Sequence, residues 1–293
     1  MNKYVLFHIE GGLGKHVLAT SVAKTIKNNF PDRKLIIVCA YPEIFLNLDF
    51  IYKVFRLGVT PYFYQDYIEN KDTLIFKHEP YFTTDHIHKK LSLIENWCKL
   101  YNLEYKGELP QLEFNIRQQQ FGINKWRRDK PILLLQTNGG PLKGQSLPYS
   151  WSRDIPPHIS QQIVNFFKDQ YHIIQICREE SQVIPGVHES HFEEMSNMDL
   201  FSLLLVSQKE VLIDSSLQHA STALGKKSVV IWIATSPKVF GYQNHINIVA
   251  NLPKMKLPDS YLFDYDFNGR LHECPIKDWS NILDINKIIE LIK

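Results

Sequence analysis

Short apolar runs of strand type alternate with stretches of helical period along most of the chain, and the alternation stops once and then restarts. No other feature limits the fold as strongly. A strand that hands over to a helix and then to another strand re-enters its sheet in the same direction, so the pattern specifies parallel sheets with helices on their faces. In the first half, Lys3–Ile9, 35–38 and 74–77 read as strands, while 16–29 and 84–101 read as helices. The aromatic stretch 53–67 fits neither period and stays unassigned. In the second half, Ile132–Gln136, His172–Ile176, 211–213 and 228–233 read as strands. Helices are expected at 157–168, 199–206, 218–224 and, closing the chain, 278–292. The expectation is an α/β protein of two Rossmann-like domains facing a cleft. The first covers 1–120, the second covers 121–275, and a terminal segment, 276–293, packs back on the first.

The chain has 293 residues, enough for two domains at roughly 100–200 residues each. With 44% hydrophobic residues, each half can bury a core of its own. The net charge of only +2 argues against a nucleic-acid partner, which calls for a strongly basic face. The densest basic run, Lys125-Trp126-Arg127-Arg128-Asp129-Lys130, reads as a solvated linker or as a patch for peripheral contact with anionic lipid or substrate. Cys39, Cys98, Cys177 and Cys274 are widely spaced, which fits free buried thiols better than disulfides or zinc. The N-terminus runs straight into a strand, and no apolar run reaches membrane-spanning length, so a cytoplasmic protein is expected.

In open α/β sheets, ligands bind beyond the carboxyl ends of the strands, so chemistry is sought in those loops. The first such loop is Glu10-Gly11-Gly12-Leu13-Gly14-Lys15-His16. Glycines let the backbone turn sharply and approach a ligand, and the helix that follows offers free N–H groups to an anion. A phosphate loop of G-x-x-x-x-G-K type would need glycine at Ile9 and a hydroxyl at His16. A G-x-G-x-x-G dinucleotide loop would need glycine at Val17. A tight turn without a ligand remains open. The sharper signal is Asp214-Ser215-Ser216-Leu217-Gln218-His219, where a buried strand ends in an acid and two serines before a helix. Either serine can cap that helix, and its amides can hold a diphosphate. A capped helix with His219 merely packed on it is the competing account.

Both loops resemble those of the bacterial heptosyltransferases, glycosyltransferase family 9. Gly11 to Thr20 is similar to the family's G-G-[IL]-G-D-[VL]-[LI] loop and the helix after it. Residues 196–242 resemble its D-[TS]-G-x-x-H-x-x-[AS]-A-L-G segment in order and spacing, through Ala223-Leu224-Gly225, Val229-Val230, Thr235-Ser236-Pro237 and Phe240-Gly241-Tyr242. The resemblance implies the two-domain GT-B architecture. It also implies transfer of a sugar from a nucleoside-diphosphate donor to a hydroxyl acceptor, whether a glycan, a lipid-linked acceptor or another. By the same resemblance, Asp214, Ser215, Ser216, His219, Lys143, Arg153 and Arg178 hold the donor, and Gly11, Gly12 and Gly14 face the acceptor. The family's acidic base position is Lys15 here, a departure that hands the proton to Glu10 or His16, with Lys15 and His8 nearby. Glu10 is favoured, because a carboxylate is ionised at neutral pH without tuning. No D-x-D metal pair appears in a suitable loop, so neither a metal nor a cofactor beyond the donor is expected. Two rivals stand: a nucleotide-sugar epimerase on the same skeleton, and a sugar-nucleotide-binding protein without catalysis.

Overall fold

The computed structural model describes residues 3–58, 60–139, 150–192, 195–252, 274 and 276–293. The first sheet comprises β1 (Lys3–Ile9), β2 (Lys34–Cys39), β3 (Lys53–Arg56) and β4 (Asp72–Phe76), all parallel, in the order β3-β2-β1-β4. The second comprises β5 (Ile132–Gln136), β6 (His172–Ile176), β7 (Glu189–His191), β8 (Lys209–Ile213), β9 (Val229–Trp232) and β10 (Ile246–Val249). These are also all parallel, in the order β10-β9-β8-β5-β6-β7. Numbered within its own half, the second sheet reads 6-5-4-1-2-3, the doubly wound Rossmann order. The first sheet is the four-stranded part of the same plan.

Helices follow the strands: α1 (Leu13–Asn29), α2 (Phe63–Tyr67), α3 (Thr84–Ile87), α4 (Leu93–Leu100) and α5 (Ile116–Lys125) in the first part of the chain. The rest are α6 (Pro157–Phe167), α7 (Asn197–Val206), α8 (Ser216–Ala223), α9 (Pro237–Phe240) and α10 (Ile285–Ile292). The sheets sort side chains by the two-residue period of a strand. Ile132 and Leu134 of β5, Leu212 of β8, and Val230 and Trp232 of β9 enter one core. Leu133 and Leu135, Val211 and Ile213, and Val229 and Ile231 enter another, shared with α6 and α10. The first of these cores continues into the first sheet through Val5, Phe7, Ile9, Leu35 and Ile37. One apolar mass therefore joins the two halves, and α1 lies against α8 inside it.

Three expectations change. The helix expected over 84–101 is two helices, because Lys89 adopts a left-handed φ of 51° and Ser92 starts a new helix. The Ser92 hydroxyl accepts from the Glu95 amide, while the Glu95 carboxylate accepts from the Ser92 amide. The terminal helix covers only Ile285–Ile292, capped by Asp284, and its Ile288 and Ile292 bury against the second domain rather than the first. The boundary expected at 120/121 falls inside helix α5, which runs unbroken through it and packs on α7. Cys39, Cys98 and Cys177 are buried free thiols, while Cys274 is free but exposed.

Candidate active site between the two sheets

The carboxyl ends of β1 and β4 face those of β5 and β8, and between them lies a cleft of about 970 Å³. That is ample for a small-molecule site. Its walls include Gly12 to Lys15 and Glu43 from the first half, and Gln136, Arg153, Asp214, Ser215, Ser216 and His219 from the second. A more apolar cavity of about 720 Å³ around Trp151 and Trp279 lies wholly in the second half and borders the cleft only at Asn138, Gly139's neighbour.

Two helix N-termini meet at this cleft. Gly12 precedes α1 and Ser215 precedes α8; neither helix has a side-chain cap, and neither has an acid in its first turn. Their leading N–H groups are without intrahelical partners, and each helix presents the positive end of its dipole. Gly11 makes the turn possible with a φ of 96°, in the left-handed region that favours glycine. Gly14 allows the approach itself. A Cβ there would sit 3.1 Å from Ser216 Cα, 3.3 Å from the Ser216 amide nitrogen and 3.1 Å from His219 Cδ2. Ser215 Oγ accepts from Gln136 Nε2 at 3.0 Å, which leaves its own proton to donate into the cleft.

Behind α8, Asp214 is buried, and Arg153 Nε lies 3.8 Å from its Oδ2. Burial raises the Asp214 carboxyl above its ordinary range, and the Arg153 charge opposes that rise. The guanidinium is thereby steered to the cleft wall while staying about one-third exposed. His219 is buried, with Nδ1 at 2.8 Å from the Tyr242 hydroxyl. Desolvation, with His245 and Arg153 adding to it, lowers His219 to about 3, so the ring is neutral at physiological pH.

The other expected residues divide. Lys15 lines the cleft, but its ammonium is ion-paired with Glu79 and stands 5.2–5.3 Å from the ring centres of Tyr81 and Trp97. Desolvation lowers it to about 8, and the nearby Glu10 charge opposes that shift. Glu10 is exposed at the rim, 3.5 Å from His8 Nε2, and does not wall the cleft. His16 cannot serve as the proton acceptor. It is fully buried; the Ala40 amide donates to Nε2 at 3.1 Å, and Nδ1 lies 2.9 Å from the Gly12 carbonyl. That pattern fixes the proton on Nδ1 and uses both nitrogens to tie the glycine turn to the end of β2. Arg178 is likewise engaged: Nη1 donates to the Gly139 carbonyl at 2.7 Å, and Nη2 to Asp154 Oδ2 at 2.5 Å. It lines the cleft and there braces the loop after β5. Lys143 lies outside the described residues.

Sequence reasoning passed over Glu43 and Glu79. Each follows a strand, so the rule that sites form at carboxyl ends was the available signal. Among the described residues no cluster of His, Cys, Asp and Glu is arranged to hold a metal ion, and no helix is long and apolar enough to cross a membrane.

No protein-family model and no curated protein matches the chain in sequence. In structure, ADP-heptose LPS heptosyltransferase II of E. coli matches with a TM-score of 0.63 at 10% identity, over 86% of this chain and 91% of that one. E. coli heptosyltransferase WaaC, solved with ADP, matches over 99% of this chain and 98% of its own, with a TM-score of 0.60 and 12% identity. A glycosyl transferase family 9 protein of Veillonella parvula matches over 84% and 85%, with a TM-score of 0.61 at 11% identity. The chain thus has a heptosyltransferase-like fold, two Rossmann-like domains in the GT-B arrangement.

Proposed function

We propose that this chain is a glycosyltransferase that moves a sugar from a nucleoside-diphosphate donor to an acceptor hydroxyl. The observation that carries this reading is the meeting of two uncapped helix N-termini, one from each domain, on one cleft wall beside Arg153. A departing diphosphate is the kind of dense anion that such a place stabilises. The α8 amides, the Ser215 hydroxyl and Arg153 take up its charge. In this reading the enzyme needs neither a metal nor a cofactor beyond its donor. The likeness in fold to a heptosyltransferase solved with ADP supports a nucleotide sugar as donor. The acceptor, a glycan, a lipid-linked molecule or another hydroxyl compound, enters from the first domain past Gly12.

The test is release of nucleoside diphosphate from a panel of UDP-, GDP-, ADP- and dTDP-sugars. A transferase releases it, to water slowly and to its acceptor quickly; an epimerase returns an isomeric nucleotide sugar; a binding protein does neither. Release should be undiminished in excess chelator, and strict dependence on Mg²⁺ or Mn²⁺ would refute the metal-free stabilisation of the diphosphate.

A further inference from the structure

Glycosyl transfer, on the reading just given, requires a group in the cleft that takes the acceptor's proton. Lys15, at the turn where an acid would do this, is an ammonium paired with Glu79. His16 has both ring nitrogens engaged, and Glu10 stands on the rim outside the cleft wall. Among the described residues that wall the cleft, the carboxylates are Glu43 and Asp214. Asp214 is buried behind Arg153 on the donor side.

Glu43 differs on each count. It belongs to the first domain, on the single helical turn Pro42–Ile44 that follows β2, and it is half-buried. Pro42 sets the start of that turn, and the buried Ile44 and Phe45 anchor its end, so the backbone beneath Glu43 is held. Across the cleft, Asn197 Nδ2 at the start of α7 donates to Glu43 Oε1 at 2.7 Å. One carboxylate oxygen is thus fixed from the opposite domain, and Oε2 remains to accept a proton.

We propose that Glu43 is the general base of the transfer and that Asn197 is its positioning residue. Glu43 Oε2 takes the proton of the acceptor hydroxyl while the acceptor oxygen bonds to the sugar's anomeric carbon. The bond from that carbon to the phosphate oxygen breaks, and its electron pair leaves with the nucleoside diphosphate. The proton stays on Glu43 until solvent removes it.

Glu43→Gln separates this role from that of a mere latch between domains, because the amide oxygen still accepts from Asn197 but takes up no proton. Nucleoside diphosphate release from the donor panel, with water as acceptor, is compared with the affinity for ADP, UDP and GDP. The expected result is a roughly 10²–10⁴-fold fall in kcat with nucleotide affinity and Tm retained. Glu43→Asp keeps a carboxylate on a shorter arm. It is expected to turn over more slowly than the wild type, with the acid limb of the pH–rate profile preserved. A Glu43→Gln variant that turns over normally, or one whose nucleotide affinity falls along with its rate, overturns the assignment. So does a normal Glu43→Gln beside a dead Glu10→Gln. A wild-type chain that binds none of the three nucleotides and releases none overturns the glycosyltransferase reading itself, a failure distinct from that of Glu43 alone.

Discussion

Gly14→Ala turns the approach of α1 to α8 into a measurable sign. Gly14 sits in the first turn of α1 with no left-handed φ, so in an isolated helix alanine would help, by up to about 1 kcal/mol. In the structure the added methyl sits 3.1 Å from Ser216 Cα and 3.1 Å from His219 Cδ2. The Ser216 contact is backbone, and the His219 ring is buried and held by Tyr242, so neither partner yields freely. Forcing a methyl into a packed contact costs about 1–3 kcal/mol, which outweighs the propensity gain over most of that range. Tm should therefore fall by several degrees, since the two helices must part. Their parting also spreads the paired N-termini, and affinity for ADP, UDP or GDP should drop roughly tenfold, about 1.4 kcal/mol. Differential scanning calorimetry and titration calorimetry on the same preparation read both effects. A variant with raised Tm and unchanged nucleotide affinity would show that the domains do not meet at Gly14 in solution, and the two-helix anion site would fall with it.

Two further expectations follow from charge and burial. Arg153→Gln should weaken binding of the same nucleotides by roughly 10–100-fold, the loss of one charge-assisted hydrogen bond at about 1.5–3 kcal/mol, and should also lower Tm, because the buried Asp214 loses the charge that faces it. Arg178→Gln should lower Tm through the loss of Asp154 and Gly139 contacts while affecting nucleotide affinity less; titration calorimetry and thermal melts separate the pair. Burial holds His219 at about 3 and His86 at about 4, below the ordinary histidine value of 6.5. Both are lowered, so between these values and 6.5 the unfolded chain binds protons that the native chain does not. Stability is complete above about 6.5 and falls as pH drops, by up to about 1.4 kcal/mol per pH unit for each histidine. Denaturant melts from pH 7.5 to 4.5 should trace that slope; a flat profile would contradict the burial of neutral rings.

Most strands were legible because each is a run of apolar residues bounded by polar turns, and their alternation with helices specified parallel sheets. The edge strands β3, β7 and β10 were not visible, since Lys53–Arg56, Glu189–His191 and Ile246–Val249 are only three or four residues long and partly exposed. The break inside 84–101 was encoded in Ser92-Leu93-Ile94-Glu95, a capping-box pattern that a continuous helical period conceals. The Asp-Ser-Ser-x-x-His turn was readable because its strand, turn and helix are contiguous. The pairing of Arg178 with Asp154 and of His16 with Ala40 was not, because each joins residues that only the folded sheet brings together. Local sequence can nominate a cation or a histidine for a site, but its hydrogen-bond partners decide whether that group is free to act.

Lys15 shows how the fold accommodates the reversed charge at the first turn. An acid there would offset the positive end of α1; an ammonium adds to it, which favours holding an anion over accepting a proton. An unpaired buried cation would be costly, and the structure supplies Glu79 from the loop after β4 together with the faces of Tyr81 and Trp97. The pair leaves Lys15 on the cleft wall but spends its charge locally, so the turn is neither a strong cation nor a base. The missing carboxylate must then come from another strand end of the same domain. The loop after β2 provides it in Glu43, and the amide that orients it comes from the facing domain. A base completed only when the two domains are together would confine proton removal to the assembled cleft, where water is displaced by the substrates.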